Sequence, residues 1–132
     1  MKIVALDYGS ARTGVAVSDA TGTIARPLGV VERAGGEAGL NRLVELIRAE
    51  EAERVVVGLP LTLRGERGAQ AQETETFVEA LRAAVDVPVE SFDERFTTAL
   101  AARSGSSSAP EDARAAAHLL ESYLQWSSNN DA

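Results

Sequence analysis

The sequence predicts an α/β domain built on a five-stranded mixed sheet. Three features carry this expectation. Short β-branched runs follow one another before any helical period begins, a helical stripe then appears, and short apolar strands alternate with helix-length segments thereafter. The chain has 132 residues, 45% hydrophobic and 25% charged, with four prolines. That is the balance of a compact domain, expected over residues 1–126 with a disordered polar tail at 127–132, and long enough to bury roughly two thirds of its unfolded surface.

The elements follow in order. Lys2 to Tyr8 is an apolar, β-branched run stopped by Gly9, and Val15-Ala16-Val17 follows Gly14, a residue able to turn the backbone. Ile24 to Val31 forms a third run, and Pro27 within it predicts an edge strand or a bulge because proline donates nothing to the ladder. Three strands in succession predict an antiparallel meander. Leu40, Leu43, Val44 and Ile47 then fall at the spacing of a helix lying on a sheet. Arg54 to Gly58 is apolar on both faces, as central strands are. A polar loop from Thr62 to Gly68 leads to a second helix through Phe77, Val78, Leu81 and Val85, and Val87 to Phe92 forms a fifth strand ending at Asp93. Helical crossovers into the fourth and fifth strands predict parallel pairing there. Thr97 or Thr98 starts a short helix to about Arg103, residues 104–109 form a serine-rich connection, and Pro110 opens a long helix through Trp126.

Composition narrows the chemistry. The absence of cysteine excludes disulfides, thiolate metal centres and a thiol nucleophile, and a single histidine, His118, leaves no histidine pair for acid–base work or metal binding. Any metal must therefore be held by oxygen ligands. The N-terminal run meets Asp7 too soon for a signal peptide, and no run is long enough to cross a membrane, so a cytoplasmic location is expected. A net charge of -7 argues against an undirected cationic grip on nucleic acid but allows a local basic rim.

In an α/β sheet the carboxyl ends of the central strands face the crevice where ligands bind. Asp7 ends the first strand, Asp93 and Glu94 end the fifth, and Asp112 lies in the first turn of the last helix. Converging carboxylates repel one another and need a resident cation, and Mg²⁺ or Mn²⁺, as one or two ions, suits an oxygen-only set. Each acid also has a plainer use: Asp112 and the Asp93-Glu94 pair can cap helices, and Asp7 can open a turn. A charge directly after nonpolar residues on a central strand is the hardest of these to assign to structure alone. Alternation leaves open which of Asp93 and Glu94 points inward. Arg12, Arg64, Arg67 and Arg95 lie on loops or turns near these acids and are candidate phosphate contacts, or else partners in surface ion pairs.

Four segments occur in register: Asp7-x-Gly9-x-x-Arg12-x-Gly14-x-Ala16, Gly58-Leu59-Pro60, Asp93-Glu94-Arg95-Phe96-Thr97-Thr98, and Asp112-x-x-Ala115-Ala116-x-x-Leu119-Leu120-x-x-Tyr123. Together they resemble the YqgF/RuvX family, described both as Holliday junction resolvases and as pre-16S rRNA nucleases. The resemblance implies a ribonuclease H-like fold, with two parallel strands added beside strand 1 of the meander. It also implies a metal-dependent nuclease in which Asp7 is the central ligand, Asp93 or Glu94 the second acid and Asp112 the helical acid. The expected activity is phosphodiester hydrolysis in 5′ maturation of pre-16S rRNA. The alternatives are a junction-resolving DNA endonuclease in recombination and repair, and an accessory protein that binds nucleic acid without cutting it. Structured RNA or branched DNA is the expected partner, with the protein a monomer or homodimer and no membrane involved. One departure from the family is the short segment from Ser104 to Glu111, which carries no basic residue before the helical aspartate.

Overall fold

A computed structural model describes residues 1–61, 64–96 and 110–130 of the chain. Strands β1 (Ile3–Asp7), β2 (Arg12–Ser18) and β3 (Ala25–Glu32) form the antiparallel meander, and β4 (Arg54–Leu59) and β5 (Val89–Asp93) join on the other side of β1 in parallel. The sheet order is β3-β2-β1-β4-β5, so β1 and β4 are central, as their unbroken apolar runs require. Helices α1 (Glu37–Ala49) and α2 (Ala69–Ala84) supply the crossovers into β4 and β5, and α3 (Glu111–Asn130) follows a 3₁₀ turn at Glu94–Phe96.

Side-chain alternation divides the core into two layers. Val4, Leu6, Val55 and Val57 point to one face and pack against Leu43, Val44 and Ile47 of α1 and Phe77, Val78 and Leu81 of α2. Ile3, Ala5, Ala16 and Val56 point to the other face, where Ala116, Leu119, Leu120 and Tyr123 of α3 cover them. Ala5 and Ala16 on the α3 side are small, so this helix lies close to the backbone there. At Gly14 the approach is extreme: a Cβ there would sit 1.8 Å from the carbonyl oxygen of Asp112.

Three expectations are corrected. Gly14 does not turn the chain; it lies within β2 opposite Asp7, and residues 8–11 make the turn, closed by the hydroxyl of buried Thr13 donating to the Gly9 carbonyl at 3.4 Å. Helix α3 continues through Ser127 to Asn130 instead of ending at Trp126; Ser127 is half-buried, and helix propagation is easier than a new start. The second helix ends at Ala84, and Val85 already has extended backbone. Pro27 behaves as expected: β3 is an edge strand, and its pairing with β2 slips between Val15, opposite Gly29, and Ala16, opposite Pro27. The short helix expected from Thr97 and the serine-rich connection lie outside the described residues. Among the described residues no helix is long and apolar enough to cross a membrane.

Candidate active site

The carboxyl ends of β1, β4 and β5, the start of β2 and the first turn of α3 meet at one edge of the sheet. Asp7 ends β1 on the same face as Ile3 and Ala5, which is the α3 face. On β5, Phe92 packs into the α3 layer, so Asp93 falls on the opposite face and Glu94, one residue on, returns to the side of Asp7. The question left open by the sequence is thus answered by register.

Glu94 donates a hydrogen bond to Asp7. Its side chain occupies the space left by Gly58 on β4, where a Cβ would lie 2.6 Å from Glu94 Oε1 and 3.0 Å from Leu119 Cδ2. Asp7, Glu94, Ala115 and Leu119 line an open pocket of about 220 Å³. Burial is the main cause that pushes the Asp7 carboxyl above its ordinary range; the bond from Glu94 partly offsets it, and the charge of Asp112 adds to it. Glu94 is pushed up to about 7, first by burial and then by the charge of Asp7 and its hydrogen bond to it, with a further contribution from Asp93. Loss of the proton that Glu94 donates leaves two like charges facing each other in a half-buried site, and this is the state a cation would stabilise.

The other acids are engaged elsewhere. Asp93 accepts from Arg95 Nη2 at 2.6 Å, from Arg95 Nε at 2.9 Å and from the Arg95 backbone N–H at 2.9 Å, and these bonds hold its carboxyl below the usual range. Asp112 is ion-paired with Arg12, Oδ2 to Nε at 3.2 Å. Among the described residues no three His, Asp or Glu side chains gather as a metal-binding group. The expected cluster of four acids is therefore a closed pair, Asp7 and Glu94, with Asp112 beside it on a different partner and Asp93 turned away.

The arginines follow a similar pattern. The Arg95 guanidinium lies against Gly65, whose φ of +81° turns the loop after β4 towards it; a Cβ at Gly65 would meet Nη1 at 3.2 Å. Arg67 pairs with Glu75 at 3.4 Å, and Arg64 is exposed in the same loop. Reading by residue type singled out the charged groups and missed Gly14 and Gly58 as the positions that seat Asp112 and Glu94. Only their recurrence inside the quoted motifs marked them.

The fit to a divalent cation can be judged on the donor set. Asp7 and Glu94 present hard oxygen ligands to an open pocket, and burial first, with the charge of neighbouring carboxylates after it, raises both pKa values, so the pair suits Mg²⁺ or Mn²⁺.

Comparison with known proteins decides the family. A family model described as "RuvX: Holliday junction resolvase" matches residues 1–126. The chain belongs to the RuvX family. Among its relatives, a protein of Chloroflexus aurantiacus is 40% identical over 136 aligned positions, covering 97% of this chain and 89% of the relative. One of Desulforudis audaxviator is 46% identical over 99 positions, covering 75% and 70%. Both carry the name "Putative pre-16S rRNA nuclease". The RuvX chain also shares its fold with Thermus thermophilus RuvC solved in complex with a Holliday junction substrate, with a TM-score of 0.67, 17% identity, and coverage of 98% of this chain and 96% of that one. The ribonuclease H-like architecture and its 3-2-1-4-5 sheet are thereby established for this RuvX protein.

Proposed function

We propose that this RuvX protein is a metal-dependent nuclease that hydrolyses phosphodiester bonds in 5′ maturation of pre-16S rRNA. The observation that carries the reading is the Asp7–Glu94 pair at the carboxyl edge of the central strands, buried enough to be short of a counter-ion and open enough to admit one. A divalent cation bound there would supply Lewis-acid chemistry, with Asp7 and Glu94 as the residues that hold it and Asp112 as their neighbour. Hydrolysis adds water to phosphorus and breaks one P–O ester bond, leaving a phosphate monoester and a free hydroxyl. The protein's own part is to fix the acids through β-strand ends and glycine contacts and to present the backbone to them.

Phosphate binding at this edge has further support. All three helices begin at this edge of the sheet, α3 on the face that carries Asp7 and Glu94, and α1 and α2 on the opposite face, so the positive dipole end that lies on the side of the acid pair is that of α3. Arg12, Arg64, Arg67 and Arg95 would contact backbone phosphates. RNA is favoured by the names of the relatives; the family description and the fold shared with RuvC favour a branched-DNA substrate as the second reading.

The test compares cleavage of precursor 16S rRNA ends with that of four-way DNA junctions, in matched salt with Mn²⁺ or Mg²⁺, for wild type, Asp7→Asn and Glu94→Gln. Metal-dependent cutting of the RNA that both substitutions reduce by at least roughly a hundredfold is expected. Cutting that survives Asp7→Asn would remove the site, junction cleavage alone would favour the second reading, and binding without cleavage of either substrate would favour an accessory role.

A further inference from the structure

We propose that Arg12 is a positioning residue that exchanges Asp112 for the nucleic-acid backbone, so that the acid pair gains its third carboxylate when a phosphate arrives. The proposal rests on the nuclease reading above and adds to it a coupling between substrate and metal.

Four observations carry it. Asp7 and Gly14 are direct partners across β1 and β2, and the missing Cβ of Gly14 lets the Asp112 backbone sit against the strand, so Asp112 is anchored beside Asp7 by main-chain packing. Its carboxylate nonetheless joins no group of three potential metal ligands among the described residues. The partner that holds it is Arg12, through one Nε–Oδ2 contact at 3.2 Å. Both side chains of this pair are open to water, 66% exposed for Arg12 and 36% for Asp112, so the contact is weak and replaceable.

A phosphodiester offers a guanidinium the same pair of oxygens as a carboxylate, and Arg12 stands at the edge where the backbone would lie. Once its guanidinium turns to phosphate, Asp112 loses its counter-charge. Its nearest remedy is a cation shared with Asp7 and Glu94. Because the Asp112 backbone is fixed, this change needs only a side-chain rotation on α3. Linkage then requires reciprocity: whatever factor nucleic acid adds to metal affinity, metal adds to nucleic-acid affinity. The arrangement would keep the site poorly metallated away from substrate.

The test is Mn²⁺ binding, followed by electron paramagnetic resonance of the free ion, in wild type, Arg12→Ala, Asp112→Asn and the double variant, with Arg33→Gln as a control for removing one exposed positive charge from the same edge. Arg12→Ala should bind Mn²⁺ roughly three- to tenfold more tightly than wild type. Asp112→Asn should abolish that gain, and Arg33→Gln should show little of it; an equal gain in Arg33→Gln would overturn the exchange. An unbranched 2′-O-methyl RNA strand should tighten Mn²⁺ binding to wild type and leave Arg12→Ala unchanged. If Mn²⁺ binds and Asp7→Asn abolishes it, yet Arg12→Ala matches wild type or the RNA strand has no effect, the exchange is overturned and the metal site stands. Mn²⁺ binding in none of these proteins would overturn both.

Discussion

Replacing Glu94 with glutamine should stabilise the metal-free protein while removing its response to metal. The amide keeps a donor for Asp7 and the shape that fills the space over Gly58, but it carries no charge. A carboxyl whose folded pKa lies above its unfolded one is protonated in both states at low pH and is penalised only once the folded state must ionise. The penalty is therefore absent below about pH 4.5, grows through the window up to about 7, and is complete above it. At 1.36 kcal/mol per pH unit, the rise from 4.5 to about 7 has an upper bound of about 3 kcal/mol. Because Glu94 opens onto a solvent-filled pocket, screening brings this to about 1–2 kcal/mol.

The assay is urea unfolding in EDTA at pH 5 and pH 8, repeated with Mn²⁺. At pH 8 without metal, Glu94→Gln should be more stable than wild type by about 1–2 kcal/mol, with a melting temperature higher by roughly 3–8 °C, and at pH 5 the two should agree. Mn²⁺ should raise the stability of wild type at pH 8 and leave Glu94→Gln nearly unmoved. A glutamine variant less stable than wild type at pH 8, or one equally stabilised at both pH values, would refute the premise that Glu94 is held in place against its own charge.

The glycine contacts make two opposite predictions. Gly14→Ala places its methyl 1.8 Å from a backbone oxygen of α3, which cannot move without the helix, so thermal unfolding should show a loss of about 3 kcal/mol or more. In Gly58→Ala the methyl meets chiefly the Glu94 carboxyl, a movable side-chain end; the fold should survive with a loss of about 1 kcal/mol, while Mn²⁺ affinity measured by titration falls roughly tenfold. Tyr123→Phe removes a hydroxyl that accepts from Arg54 Nη1 at 2.9 Å and donates to Glu90; denaturant unfolding should record a loss of about 1–2 kcal/mol with metal binding at the far end of the sheet unchanged.

The fold was legible because each of its layers writes its own period. The α1 stripe of Leu43, Val44 and Ile47 faces the sheet as its spacing requires, and Val55 to Val57, apolar without alternation, occupy the buried strand between two helical layers. What period could not supply was the role of Gly14. In sequence it stands before Val15-Ala16-Val17 like a turn residue; in the fold it is a strand residue whose lack of a side chain serves a helix almost a hundred positions away. Tyr123 is buried against Phe92 with ring centroids 5.5 Å apart, and Trp126 covers the same ring at 5.7 Å while staying 44% exposed.

The candidate residues were legible in the sequence, and their pairing was not. Residue type and strand ends single out Asp7, Asp93, Glu94 and Asp112 as candidates, because ionisable groups at the carboxyl edge of a buried sheet are expensive unless they do something. Which of them meet is a matter of register and of competition between partners, and neither is written locally. Asp93 and Glu94 are neighbours with identical chemistry, yet alternation sends one to Arg95 and the other to Asp7. On the function proposed above, Arg12 and Arg95 would each have two suitors at this edge, a carboxylate of their own chain and the phosphate of a substrate. In an acidic protein of net charge -7 the internal carboxylate already pairs with each of them. The same acidity that argues against a general affinity for nucleic acid would then keep these arginines oriented until an anion that outcompetes a carboxylate is brought to them.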